Sequence, residues 1–331
     1  MKVILPGGTG QIGRILARDF LSRGWNVVVF SRHADSISPQ SGARLVHWDA
    51  KTAGPWTDEL EGSDLVINLA GRSVDCRYNG KNRLQILNSR VDSTSAIATA
   101  IRDASDPPPL WLQSSTATIY SDRYDAPNDD LTGIIGGDEP NVPDSWRFSI
   151  DVAKAWENAA TEIELPRTRT VLLRSAMVMS PGRAGVFDVL LRLVRLGLGG
   201  TNGDGRQYVS WIHDVDFVAS IHWLISHPEL DGPVNLCSRN PIPNRDFMRI
   251  LRKAWGMPVG LPATRWMLEI GAVFLRSETE LILKSGRVVP TRLVQSGFKF
   301  QFGNWADAAG DLCQRYFVNS KCSKKTDQDN S

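Results

Sequence analysis

Short apolar runs alternate along the first half of the chain with segments whose apolar residues return every three or four positions. Val3-Ile4-Leu5 reads as a strand, and Ile12, Ile15, Leu16 and Phe20 then fall on one helical face that Gly24 stops. Val27-Val28-Val29-Phe30 is a second strand, apolar at every position as in a sheet covered on both faces. Arg44 to Trp48 and Leu65-Val66-Ile67-Asn68-Leu69 supply two more. Leu84, Leu87, Val91, Ala98 and Ile101 mark one face of a long helix. Pro107-Pro108-Pro109 ends that region, Leu110-Trp111-Leu112-Gln113 opens another strand, and Val171-Leu172-Leu173 follows as a further one. Strand, helix, strand in this order predicts an α/β fold with a doubly wound parallel sheet.

After Ser180 the texture changes. Glycines crowd Gly197 to Gly205 and prolines punctuate Pro228 to Pro262, while a helical stretch from Val215 to Ile225 and a strand at Val234-Asn235-Leu236 return to the first sheet. The expected division is a dinucleotide-binding domain over 1–180 plus 213–236 and a smaller C-terminal lobe over 181–212 plus 237–317. A disordered tail is expected over 318–331, where apolar periodicity gives way to Lys, Ser, Asp and Asn. Ligands of open α/β sheets sit at the carboxyl ends of the strands, so a lobe folded over that edge makes the second wall of a cleft.

Charge and cysteine usage narrow the classes. Lys plus Arg exceed Asp plus Glu by 38 − 36 = 2, too small a surplus to hold a protein on nucleic-acid phosphates or an anionic membrane by net charge. No stretch approaches the roughly 18 consecutive apolar residues of a membrane span, and the opening apolar run is too short for a signal peptide. Cys76, Cys237, Cys313 and Cys322 form no CxxC pair and the five histidines are dispersed. No metal site is therefore expected, and reduced thiols in the cytoplasm are the simplest reading.

Gly7-Gly8-Thr9-Gly10-Gln11-Ile12-Gly13 follows a strand and opens a helix, the context in which a glycine loop binds a dinucleotide in a Rossmann fold. Gly7 allows the tight turn, Gly10 removes the side chain where backbone must approach a pyrophosphate, and Gly13 lets the helix press on the strand. Thr9, Gln11 and Ile12 complete the cofactor-binding set in this loop, where free N–H groups and the helix dipole meet the phosphates. An NAD site wants a carboxylate at the end of the second strand. Here the chain reads Phe30-Ser31-Arg32-His33, with no acid until Asp35. Ser31 and Arg32 suit a 2′-phosphate, so the expected cofactor is NADP(H).

These residues resemble the extended branch of the short-chain dehydrogenase/reductase superfamily. Asn68-Leu69-Ala70-Gly71 is similar to that branch's turn at the adenine ribose and phosphates, and Ser114-Ser115-Thr116-Ala117-Thr118-Ile119-Tyr120 to its segment after the fifth strand. Closer still is the atypical epimerase-family subgroup, YfcH-like and nucleoside-diphosphate-sugar epimerase-like. It is resembled at Ile86-Leu87-Asn88-Ser89-Arg90-Val91, Ala155-Trp156-Glu157, Gly197-Leu198-Gly199-Gly200, Gly205-Arg206-Gln207-Tyr208 and Ser210-Trp211-Ile212-His213. Gly286-Arg287-Val288-Val289-Pro290 through Phe298 resembles its C-terminal domain of unknown function, and the likeness covers about residues 1–317. It implies Leu69, Ala70 and Gly71 at the adenosine half, Asp49 near the adenine amino group, Gln85 and Arg90 facing the cofactor from the long helix, and Val178 beside the nicotinamide.

The superfamily's usual chemistry pairs a tyrosine with a lysine four residues later, because a phenol of pKa ~10 needs a neighbouring cation to act as a base at neutral pH. Registering on Trp156-Glu157 places Ser149 and Ala153 at those positions; sliding by one gives Phe148 and Val152. Neither register supplies the pair. Thr116 keeps the hydroxyl of the superfamily's serine and is the candidate catalytic residue. Tyr124, in a polar insertion, and His213 are surrogate acid/base candidates, and Arg206 and Trp211 suit a wall for a flat or anionic substrate. The expected function is an NADP(H)-binding oxidoreductase or epimerase-like protein acting on an unknown small molecule. The alternative is a non-catalytic NADP(H)-sensing regulatory or assembly protein. No nucleic-acid or membrane partner is expected, and a homodimer fits the relatives' habit.

Overall fold

The computed structural model describes residues 1–34, 42–182, 185–262 and 284–328, with 320–328 as backbone. In chain order they form β1 (Lys2–Pro6), α1 (Gln11–Ser22), β2 (Asn26–Ser31), β3 (Arg44–His47), β4 (Leu65–Asn68), α2 (Gly80–Asp103), β5 (Leu110–Thr116), α3 (Asp144–Thr161), β6 (Arg169–Ser175), β7 (Met177–Met179), α4 (Val186–Arg195), β8 (Tyr208–Val209), β9 (Trp211–His213), α5 (Asp214–Ser226), β10 (Gly232–Leu236), β11 (Ile242–Pro243), α6 (Asn244–Trp255), α7 (Thr291–Gln295) and α8 (Trp305–Gln328).

Seven strands make one sheet in the order β10-β6-β5-β4-β1-β2-β3. Every pairing in it is parallel, with Ile4 beside both Val28 and Val66, and Leu173 beside Val234. Successive side chains of a strand point to opposite faces. Val3 and Leu5 therefore join Leu16 and Phe20 of α1 and Phe217 and Ile221 of α5 in one core. Ile4 goes to the other side, with Phe30, Trp48, Trp56 and, from α2, Ile97 and Ile101. Burial on both faces is why these strands read as continuous apolar runs. Strand order reverses at β1, between β2 and β4, and a crevice opens there at the carboxyl ends.

A separate apolar core gathers Phe187 and Leu191 of α4, Phe247 and Leu251 of α6, and Trp305 and Leu312 of α8, together with Trp211. Helical backbone in α8 continues to Gln328, past residue 318 where the tail was expected. A run of Lys, Ser and Gln forms helix well enough without an apolar face. The long helix α2 also departs from its expected face. Leu84 is 59% exposed, whereas Ser93 and Thr94 are wholly buried. The first half of α2 borders a cavity, and buried Thr94 is accounted for by hydrogen bonding to Asn68 and Trp156.

Candidate functional site

Gly7 takes φ +73°, and a Cβ there would lie 2.7 Å from the Ala70 Cα, so glycine is required for both conformation and space. A Cβ on Gly13 would stand 2.3 Å from the Gly8 carbonyl oxygen. Gly13 thus lets α1 press on the loop itself, a correction to the expected contact with the strand. Gly10 differs: its missing side chain would meet only the Gly7 oxygen, at 3.6 Å, and otherwise open space. It gives α1 no side-chain cap, and the first turn holds no acid. The first intrahelical bond runs from Arg14 N to Gly10 O, which leaves the amides of Gln11, Ile12 and Gly13 at the helix start for another acceptor.

This open face looks into a cavity of about 750 Å³. Its walls bring together Gly7, Thr9, Gly10, Ser31, Arg32, Asp49, Leu69, Ala70, Gly71 and Gln85, ten of the residues singled out in the sequence. Asn68 sets the Leu69-Ala70 turn. Its carbonyl accepts from Ala70 N at 3.0 Å while its amide donates to Gln113 at 2.9 Å. Ser31 Oγ accepts from the His33 amide at 3.2 Å, and the Arg32 side chain is exposed at the rim. Asp35 lies outside the described residues. The sequence reading missed Lys51, Arg72, Asn88, Ser89 and Asp92 on the same walls. They sit past the strand ends and on the polar side of α2, where hydrophobic periodicity carries no signal.

Asp49 is already engaged. One oxygen accepts from the amides of Lys51 and Thr52 at 2.8 Å, and the other from the Thr52 hydroxyl. The Thr52 bonds hold its carboxyl below the usual range, so it organises a turn at the cavity edge. Arg90 stands just behind Gly71, with its guanidinium carbon 3.4 Å from where a Gly71 Cβ would be. It donates to the carbonyls of Arg72 and Ile86, both at 3.1 Å, and none of these partners is a carboxylate. Burial pulls its pKa down to about 10, which leaves it cationic at neutral pH.

Other expected residues do not line this cavity. Gln11 and Ile12 are at the helix start but not on the cavity wall; the Gln11 side-chain amide packs against Gly182 and Gly185. Val178 lies in β7 beside Ile212. Thr116 ends β5, and its hydroxyl caps the next turn by accepting from Thr118 N at 3.1 Å. Trp211 is fully buried with its ring 4.9 Å from Trp305, so it is core and no substrate wall. Arg206 is exposed and lies off the cavity, near Tyr124. His213 is fully buried, stacked 3.8 Å from Phe302, with Nε2 3.0 Å from Asp311. Its Nδ1 caps α5, accepting from Val215 N at 3.2 Å, and the ring does not line the cavity.

Ser149 and Ala153 both lie in α3. Ala153 is sealed among Ile119, Tyr120, Cys237 and Val288. Nearby, Arg174 grips Glu157 through two 2.8 Å bonds and donates to the Tyr120 hydroxyl at 3.0 Å. Ser115 donates to the same Glu157, and Tyr120 donates to Asn235. Burial pushes the Tyr120 phenol up to about 12, so it holds its proton within this network. Among the described residues no group of three or more His, Cys, Asp or Glu side chains could hold a metal, and no helix is long and apolar enough to cross a membrane. Cys76, Cys237 and Cys313 are free thiols.

Residues 3–237 match the NAD dependent epimerase/dehydratase family, and residues 263–312 match a domain of unknown function, DUF1731. Similar proteins include the epimerase family protein YfhF of Bacillus subtilis, 28% identical over 314 residues that cover 94% of this chain and 98% of that one. The epimerase family protein SDR39U1 of Bos taurus is 30% identical over 306 residues, covering 91% and 96%. The crystal structure of human epimerase family protein SDR39U1 (isoform 2) with NADPH superposes with a TM-score of 0.81 at 28% identity, covering 95% of this chain and 99% of that one.

Proposed function

The chain belongs to the NAD dependent epimerase/dehydratase family, and from that premise we propose that it binds NADP(H) in the cavity at the carboxyl ends of β1–β4 and performs oxidoreductase or epimerase-like chemistry on a small molecule. One observation carries this reading. The unfilled face of Gly10 and the uncapped start of α1 open into a cavity whose β2 end carries Arg32 where an NAD site would carry an acid. The relative crystallised with NADPH supports the same choice.

In this reading the amides at the start of α1 hold the pyrophosphate, Arg32 and Ser31 the 2′-phosphate, and Leu69 and Ala70 the adenosine. Gln85 and Arg90 face the cofactor from α2, and Arg90 adds a buried positive charge. Val178 packs beside the nicotinamide. Bound NADP(H) supplies or accepts a hydride. Thr116, at the end of β5, orients the reacting oxygen. Neither register supplies a tyrosine–lysine pair, with Ser149 and Ala153 in one and Phe148 and Val152 in the other, so in this reading proton transfer rests on other groups. The test is incubation with NADPH and a panel of aldehydes, ketones and nucleotide sugars, following loss of reduced nicotinamide. Turnover that Thr116→Ala slows at unchanged NADPH affinity supports the enzyme.

A second reading, an NADP(H) sensor without chemistry, is favoured by the side chains at the lysine position, which are apolar in either register: Ala153, buried among Ile119, Tyr120, Cys237 and Val288, or Val152. NADPH binding with no turnover across the panel selects it.

A further inference from the structure

Two non-glycine residues among the described ones have positive φ, Ala50 at 64° and Asn141 at 62°. Asn tolerates that region, whereas for Ala it is strained and persists only where surroundings impose it. The imposing group is Asp49, whose carboxylate takes the amides of Lys51 and Thr52. The result is a bend that sets Lys51 on the cavity wall. β3 pairs with β2 in register, Ser31 opposite His47, and Trp48 N donates to Ser31 O at 3.3 Å. The chain therefore leaves β3 alongside Arg32, and both cations border the same space. The Lys51 ammonium meets one carboxylate, Asp92 at 3.8 Å, with its own side chain 68% exposed. Such a pair is worth little, so the ammonium is available to a stronger anion.

We propose that Lys51 is the second cation of the 2′-phosphate subsite, closing on the phosphate from the β3 side while Arg32 holds it from the β2 side. The proposal rests on the NADP(H) reading and assigns selection of NADP(H) over NAD(H) to two residues instead of one. Asp49 becomes a positioning residue that aims Lys51 through the bend at Ala50.

Calorimetric titration of wild type and Lys51→Gln with NADP⁺ and with NAD⁺ tests it. Loss of a charge-assisted phosphate contact weakens NADP⁺ about tenfold, with NAD⁺ affinity within about twofold of wild type, because NAD⁺ lacks the group in question. A wild type that prefers NADP⁺ alongside a Lys51→Gln protein that prefers it equally overturns the role of Lys51 alone. Equal weakening of both dinucleotides also overturns it, placing Lys51 on the part they share. A wild type that binds neither overturns the cofactor reading and this inference with it.

Discussion

The Arg90 guanidinium lies 5.0 Å from the centre of the Trp156 ring, joining α2 to α3 one turn beyond Ala153. A cation held this way, on an indole face and two carbonyl oxygens, is costly to bury. Arg90 stands behind Gly71, whose own backbone lines the cavity, and the proposed function gives this charge an anion to meet.

Arg90→Met should therefore stabilise the ligand-free protein by about 1 kcal/mol, since a similar volume is kept and an uncompensated charge removed. NADP⁺ affinity should fall about tenfold or more. Thermal melts with and without NADP⁺ check both. A destabilised protein with unchanged affinity would make Arg90 a purely structural link between the helices.

The two glycines of the loop should separate fold from binding. A side chain at Gly10 faces open space, so Gly10→Val should melt within about 2 °C of wild type and lose NADP⁺ binding by more than about tenfold. Gly13→Ala drives a Cβ into the Gly8 backbone at 2.3 Å and should cost about 2 kcal/mol of stability. Chemical denaturation and calorimetry on the same pair of proteins would reveal a reversal of these effects, which contradicts the assignment.

Arg32→Asp should weaken NADP⁺ about tenfold or more and bring NAD⁺ to comparable affinity, because the new carboxylate repels a 2′-phosphate and can accept from a 2′-hydroxyl. An unchanged preference in a competition titration would place the selecting charge elsewhere.

Burial pushes the His213 imidazole below its ordinary value, although Asp214 and Asp311 oppose the shift; Arg315 adds to it. The unfolded chain, titrating near ~6.5, then takes up a proton before the folded one does. Stability should fall as pH drops from about 7.5 to about 5.5, and His213→Gln should fall less over that window. Urea midpoints at the two pH values measure the difference; an equal fall in both proteins would mean the ring titrates normally in the fold.

The inner strands of the main sheet were legible in the sequence because parallel strands buried on both faces leave runs such as Val27–Phe30 with no polar interruption, whereas edge strand β3 showed only the short apolar pair Leu45-Val46 between Arg44 and His47. The glycine loop was legible for the same local reason, a strand followed at once by a helix. Periodicity failed on α2, where Leu84 faces the cavity and Thr94 is buried in hydrogen bonds with Asn68 and Trp156, since a face that borders a cavity or carries buried polar bonds does not follow the apolar core. Trp211 and His213 looked like site residues because aromatic and imidazole side chains are ambiguous until their neighbours are known; Trp305 and Asp311, far along the chain, settle them. The Glu157–Arg174–Tyr120–Asn235 network has no local signature, since its Tyr120–Asn235 bond joins residues 115 apart in sequence.

Calorimetric titration of the wild-type chain with NADP⁺ and, separately, NAD⁺ tests the central claim most directly. Saturable binding of NADP⁺, at least about tenfold tighter than NAD⁺, is the predicted result. No heat from either dinucleotide at saturating concentrations would contradict it.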